Sequence, residues 1–139
     1  MTEISFYVAS KPSLEERLLV VCRLVHKANK KRMHVHVHTD SAETSKRLDE
    51  LLWSFQATSF IPHAMAEHAD GERVIIAHVF EPENDCDLLI NVSDNIPDFF
   101  ARFKRIGEVI DQTPEILAAG RERYAYYRKR GYTLKYHQL

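Results

Sequence analysis

The chain of 139 residues suits one domain and leaves little room for a second; 45% of it is hydrophobic, enough for a core, and 28% is charged, as on an ordinary soluble surface. Its 19 Lys and Arg against 20 Asp and Glu give a net charge of -1, far less basic than a protein that wraps a polyanion. No apolar run approaches the roughly 20 residues of a membrane-spanning helix, and Met1-Thr2-Glu3 lacks a basic start followed by an apolar stretch, so the expectation is a cytoplasmic chain that neither spans a membrane nor is exported.

In chain order, Ile4-Ser5-Phe6-Tyr7-Val8 reads as a strand ending before Lys11-Pro12. Ser13 with Glu16 forms a capping-box signature, and Leu14, Leu18, Val21, Cys22 and Val25 recur at helical spacing, which predicts an amphipathic helix over 13–30. Lys27, Lys30 and Lys31 make its last turn basic, as the helix dipole favours. Met33 to His38 alternates, with Val35 and Val37 on one face of a strand and His34, His36 and His38 on the other. Asp40 or Ser41 caps a second helix to about Phe55, its inner side Leu48, Leu51, Leu52 and Phe55, its outer side Glu43, Lys46, Arg47 and Glu50. Ser59 to His63 is extended but Pro62 argues against a ladder strand, and residues 68–72 read as a turn.

Val74 to Val79 and Leu88 to Val92 are nearly continuous apolar runs, the mark of parallel strands buried on both faces. A short helix is expected around Pro97 to Phe100. Arg105 to Asp111 reads as a strand because Gly107 weakens a helix there. Thr113 as cap and Pro114 in the first turn open a last helix to about Arg130, stopped by Gly131. Strands alternating with helices predict a single α/β domain over 1–139: a mostly parallel, Rossmann-like sheet flanked by helices, with a C-terminal helix. Cys22 and Cys86 are read as reduced, small and buried.

The chain carries few motifs of familiar chemistry. Four glycines, at 71, 107, 120 and 131, make no phosphate loop, and no G-x-S-x-G elbow is present. The imidazoles of His34, His36 and His38 project about 7 Å apart per step. Two could share a zinc, which makes a small metal-dependent hydrolase one alternative; the plainer reading is a packed strand face, with no metal or other cofactor. His63 and His68, in a loop, add little. Trp53, Phe55, Phe60, Ile61 and Pro62 cluster around a helix end. Trp53 there is first read as core, although loop aromatics also make protein-binding surfaces.

Charge is uneven. Residues 121–139 carry six basic side chains against Glu122, leaving -6 on the rest. A local basic end on an acidic body suggests a discrete anion site, although a solvated helix or direct nucleic-acid binding would share that composition. Leu117, Arg121, Tyr124 and Arg128, spaced 4, 3 and 4 residues apart, share one helix face. Arginine beside tyrosine and leucine suits a peptide that carries a carboxylate and an aromatic ring.

Over nearly its whole length the chain resembles the chi subunit of bacterial DNA polymerase III. The resemblance is carried by Ile4-Ser5-Phe6-Tyr7, by Leu48-Asp49-Glu50-Leu51-Leu52-Trp53 followed by Ser59-Phe60-Ile61-Pro62-His63, by Asp87-Leu88-Leu89-Ile90-Asn91, and by Arg121-Glu122-Arg123-Tyr124 with Tyr127-Arg128 and Gly131-Tyr132. It implies a non-catalytic replication protein that pairs with the psi subunit, and through it with the clamp loader, and that binds the acidic C-terminal tail of the single-stranded-DNA-binding protein. DNA would then be contacted mainly indirectly. By matching positions, Arg121 and Tyr124 would hold the tail's carboxylate and ring, with Arg128 and Leu117 beside them. Trp53, Phe60, Ile61 and Pro62 would fall on the surface for psi or a competing helicase. Leu117 and Ala125 stand where the family can carry lysines, which shifts the expected attraction toward Arg128, Lys129 and Arg130.

Overall fold

A computed structural model of the chain describes residues 2–55, 61–82 and 87–139. Its elements are β1 (Glu3–Val8), α1 (Leu14–Lys30), β2 (Val35–His38), α2 (Ala42–Ser54), β3 (His63–Met65), β4 (Val74–Ala77), β5 (Leu88–Asn91), β6 (Arg105–Ile110), α3 (Pro114–Lys129) and β7 (Leu134–Gln138). Single 3-10 turns lie at Ala66–His68 and Phe100–Arg102. The strands form one seven-stranded sheet, ordered β3-β4-β2-β5-β6-β1-β7, and every pairing is parallel.

The two faces of the sheet bury different sets of side chains. On one, Leu18, Val21, Cys22 and Val25 of α1 and Leu48 and Leu52 of α2 pack with Val35 and Val37. On the other, Ile4, Phe6 and Val8 of β1 pack with Tyr127 of α3 and with Phe100 and Phe103. The period-2 alternation of β1 and β2 thus feeds both layers. Ser13 caps α1 by accepting from the Glu16 amide at 3.3 Å, and Ser41 caps α2 by accepting from the Thr44 amide at 3.1 Å. Burial pushes the Cys22 thiol up to about 12, with Glu15 adding to the effect, so it is an inert filler of the core. Cys86 lies outside the described residues.

Four expectations need correction. Pro62 does not exclude a strand: β3 begins one residue later, as a three-residue edge strand beside β4, where proline's missing N–H costs no central ladder bond. His63 therefore belongs to a strand and not to a loop. The last helix is followed by β7, which closes the other edge of the sheet against β1. Finally, the Thr113 side chain makes no capping bond; Asp111 Oδ1 accepts from the Thr113 amide at 2.7 Å just before α3.

Candidate functional site

α3 presents two faces of different character. Gly120, Arg123 and Tyr127 are buried against the sheet. Gly120 allows this approach, since a Cβ there would lie 3.0 Å from Ile110 Cδ1 and 3.1 Å from Ile110 Cγ2. Arg123 Nε donates to Glu108 Oε1 at 3.0 Å and its Nη1 donates to the Asp94 carbonyl at 2.9 Å. The Tyr127 hydroxyl donates to Glu108 Oε2 at 2.7 Å, and Asn91 Nδ2 donates to the same carboxylate at 3.0 and 3.2 Å. Glu108 is 0% exposed and Arg123 4%. Burial pushes the Glu108 carboxyl above its ordinary range, opposed first by Arg123 and then by the Tyr127 and Asn91 bonds. One basic side chain of the C-terminal segment is therefore consumed inside the fold and contributes nothing to a surface patch.

The adjoining flank of α3, which shares Gly120 with the buried face, opens onto a cavity of about 290 Å³ lined by Phe6, Ile110, Leu117, Gly120, Arg121, Tyr124 and Tyr136. Leu117, Arg121 and Tyr124, grouped in the sequence by helical spacing, are brought together there. Arg128 is exposed one turn on and is not among the residues that line the cavity. Tyr124 packs against Phe6, ring centroids 5.3 Å apart. Of the described lining residues only Arg121 is charged, and it is exposed. The cavity is thus an apolar, ring-walled slot with a guanidinium at its mouth, suited to a group that joins an aromatic ring to an anion. Sequence spacing found the helix wall but missed Phe6, Ile110 and Tyr136, which come from β1 at the far end of the chain and from the two strands that flank α3, β6 and β7. Nearby, the Arg130 guanidinium sits 3.6 Å over the Tyr126 ring.

The aromatic cluster around α2 is divided by the fold. Trp53, read first as core, is 58% exposed, because it falls on the outer side of α2 one residue past Leu52. It lies against the His63 ring, centroids 4.9 Å apart. His63 is fixed in turn by Nδ1 2.6 Å from the Ile61 carbonyl and Nε2 3.1 Å from Asp49 Oδ1. Pro62 is exposed. Ile61, grouped with this surface in the sequence, is instead a core residue, 2% exposed. Phe60 lies outside the described residues.

The histidine strand packs against rings and does not converge on one point. His36 lies edge-on to Phe99, centroids 5.4 Å apart, and stacks on His38 at 6.4 Å. Burial above all, with His38 and Arg102 assisting, lowers the His36 pKa to about 4, so its ring is neutral. Among the described residues no group of three His, Cys, Asp or Glu side chains could hold a metal ion, and no helix is long and apolar enough to cross a membrane.

Residues 1–135 match the sequence family described as DNA polymerase III chi subunit, HolC. The chain is 39% identical to DNA polymerase III subunit chi of Pseudomonas aeruginosa over 140 residues, spanning 100% of this chain and 98% of that one. It is 26% identical to the protein of the same name from Escherichia coli over 141 residues, 96% of each chain. Among solved structures, the crystal structure of T4 UvsW superimposes with a TM-score of 0.71 at 12% identity, covering 99% of this chain and 41% of that longer one, a likeness of fold alone.

Proposed function

The chain belongs to the DNA polymerase III chi-subunit family, and on that premise we propose that it is a non-catalytic cytoplasmic adaptor of the replicase. In this reading it takes the acidic C-terminal tail of the single-stranded-DNA-binding protein in the α3 cavity and engages psi, and through psi the clamp loader, at a second surface. The observation that carries the proposal is the pairing of Arg121 with an aromatic-walled cavity of about 290 Å³. The guanidinium forks onto the terminal carboxylate while the terminal ring packs against the apolar wall made by Tyr124, Leu117 and the strand residues beneath them. Arg128, Lys129 and Lys135, all exposed, supply the field that attracts the tail's acidic residues.

Trp53 and Pro62, with Phe60 between them in sequence, form the proposed surface for psi or a helicase partner. An exposed tryptophan held by a histidine that is itself hydrogen-bonded is the kind of rigid anchor that dominates protein interfaces. DNA is reached through these partners, since six basic residues in one segment, one of them neutralised by Glu108, are too few for tight direct binding.

The test is titration of a labelled acidic peptide ending in phenylalanine. Micromolar affinity, on the order of -8 kcal/mol, is expected, falling as salt rises and lost in Arg121→Ala. Equal affinity for the wild type and Arg121→Ala would remove the site assignment.

A further inference from the structure

We propose that Tyr136 sets this cavity's preference for an aromatic terminal side chain, an inference that rests on the cavity being the peptide site described above. Nothing in the core requires the ring: Tyr136 lies on the edge strand β7 and is 53% exposed. Yet its place is fixed from two directions. The register sets Tyr136 opposite Phe6. On the reverse face, His137 stacks on Tyr7 with centroids 4.9 Å apart and planes within 15°. Side chains alternate along the strand, so locking His137 under the sheet commits Tyr136 to the α3 side.

Three rings then line one cavity, Phe6, Tyr124 and Tyr136, together with Ile110 and Leu117. A dry cavity of about 150 Å³ already holds a benzene ring, so about 290 Å³ has room for a ring and the carbon that bears it. Phe6 and Tyr124 are engaged with each other at 5.3 Å. Tyr136, 53% exposed, is the ring of the three with the most surface left to meet an incoming one. Such ring–ring geometry rewards phenylalanine beyond the area an aliphatic side chain would bury. The phenol oxygen has no part in this, so phenylalanine should serve in its place.

The experiment titrates two acidic peptides, identical except for a final Phe or Ala, into wild type, Tyr136→Ala, Tyr136→Phe and Arg121→Ala. Wild type is expected to favour the Phe-ending peptide by about tenfold or more. Tyr136→Ala should cut that preference to about threefold or less, by weakening the Phe-ending peptide several-fold more than the Ala-ending one, and Tyr136→Phe should keep it. Arg121→Ala should weaken both peptides together. A preference that survives Tyr136→Ala, or a loss shared equally by both peptides in that variant, overturns the inference and leaves the peptide site standing. Failure of the wild type to bind either peptide overturns both.

Discussion

Replacing Arg123 by methionine tests whether the ion pair under α3 holds the helix in place. The substitution keeps most of the apolar stem and removes the guanidinium that gives Glu108 its only ionic partner among the described residues. Glu108, 0% exposed, would keep the Tyr127 and Asn91 donors, which are neutral. Breaking one partner of a buried pair costs about 3–5 kcal/mol, a large share of the 5–15 kcal/mol typical of a folded domain. Urea unfolding at neutral pH should show the midpoint falling by about 2 M.

The deficit should depend on pH in a definite direction. Burial raises the Glu108 pKa above 4.5, and Arg123 is the foremost influence opposing it. In Arg123→Met the folded-state value therefore rises further, while the unfolded value stays near 4.5. A group whose folded pKa is raised contributes stability in full below the unfolded value and loses it as pH rises through the folded one. The variant should therefore recover part of its deficit on acidification. The double variant Glu108→Gln/Arg123→Met should be more stable at neutral pH than Arg123→Met, by about 1–3 kcal/mol, because no buried charge is then left without its partner. A cost below about 1 kcal/mol for Arg123→Met, or a deficit that grows as pH falls, would refute the reasoning.

Two further measurements probe the rest of the fold. The His36 pKa is lowered from 6.5 to about 4, so the unfolded chain takes up a proton first as pH falls. At about 1.4 kcal/mol per pKa unit, about 3 kcal/mol of stability should be lost between these values. His36→Leu should lack that component of the acid transition in denaturant unfolding, and an identical pH profile would show that His36 is not buried as described. Trp53→Ala should cost about 1 kcal/mol or less, whereas Ile61→Ala should cost about 2–5 kcal/mol. Comparable losses in thermal or urea unfolding would mean that Trp53 is core after all.

Much of this architecture is legible in the sequence because it rests on periodicity. The apolar runs at Val74 and Leu88 mark strands covered on both faces, while the spacing of Leu14, Leu18 and Val21 and the alternation around Val35 sort apolar side chains onto one face. β3 and β7 escaped for a physical reason. They are edge strands, paired on one side only, so their composition is not forced to be apolar. Leu134-Lys135-Tyr136-His137-Gln138 reads as a tail until β1 is seen beside it. Arg123 was counted with the surface charge because composition cannot see Glu108 fifteen positions earlier on β6. The helix wall of the cavity was readable, since Leu117, Arg121 and Tyr124 share a face by spacing alone. Its other walls were not: Phe6, Ile110 and Tyr136 meet only through the strand order β6-β1-β7, which no local pattern encodes.

That strand order has a consequence for how the protein is made. β1 is translated first, yet it lies between β6 and β7, with Ile4 opposite both Ile106 and Leu134. While the chain emerges from the ribosome, β2 to β5 can pair among themselves, but β1 has no native neighbour until residues past 105 have appeared. Such distant pairings close slowly, because the entropy of a long loop is lost before any contact compensates it. Throughout that interval Ile4, Phe6 and Val8, all buried in the finished fold, form an exposed apolar strand of the kind that chaperones shield and aggregates recruit. β7, made after β6, completes β1's second edge and supplies the outer wall of the cavity in the same step, so a nascent chain lacking β7 has neither a fully paired β1 nor a finished pocket.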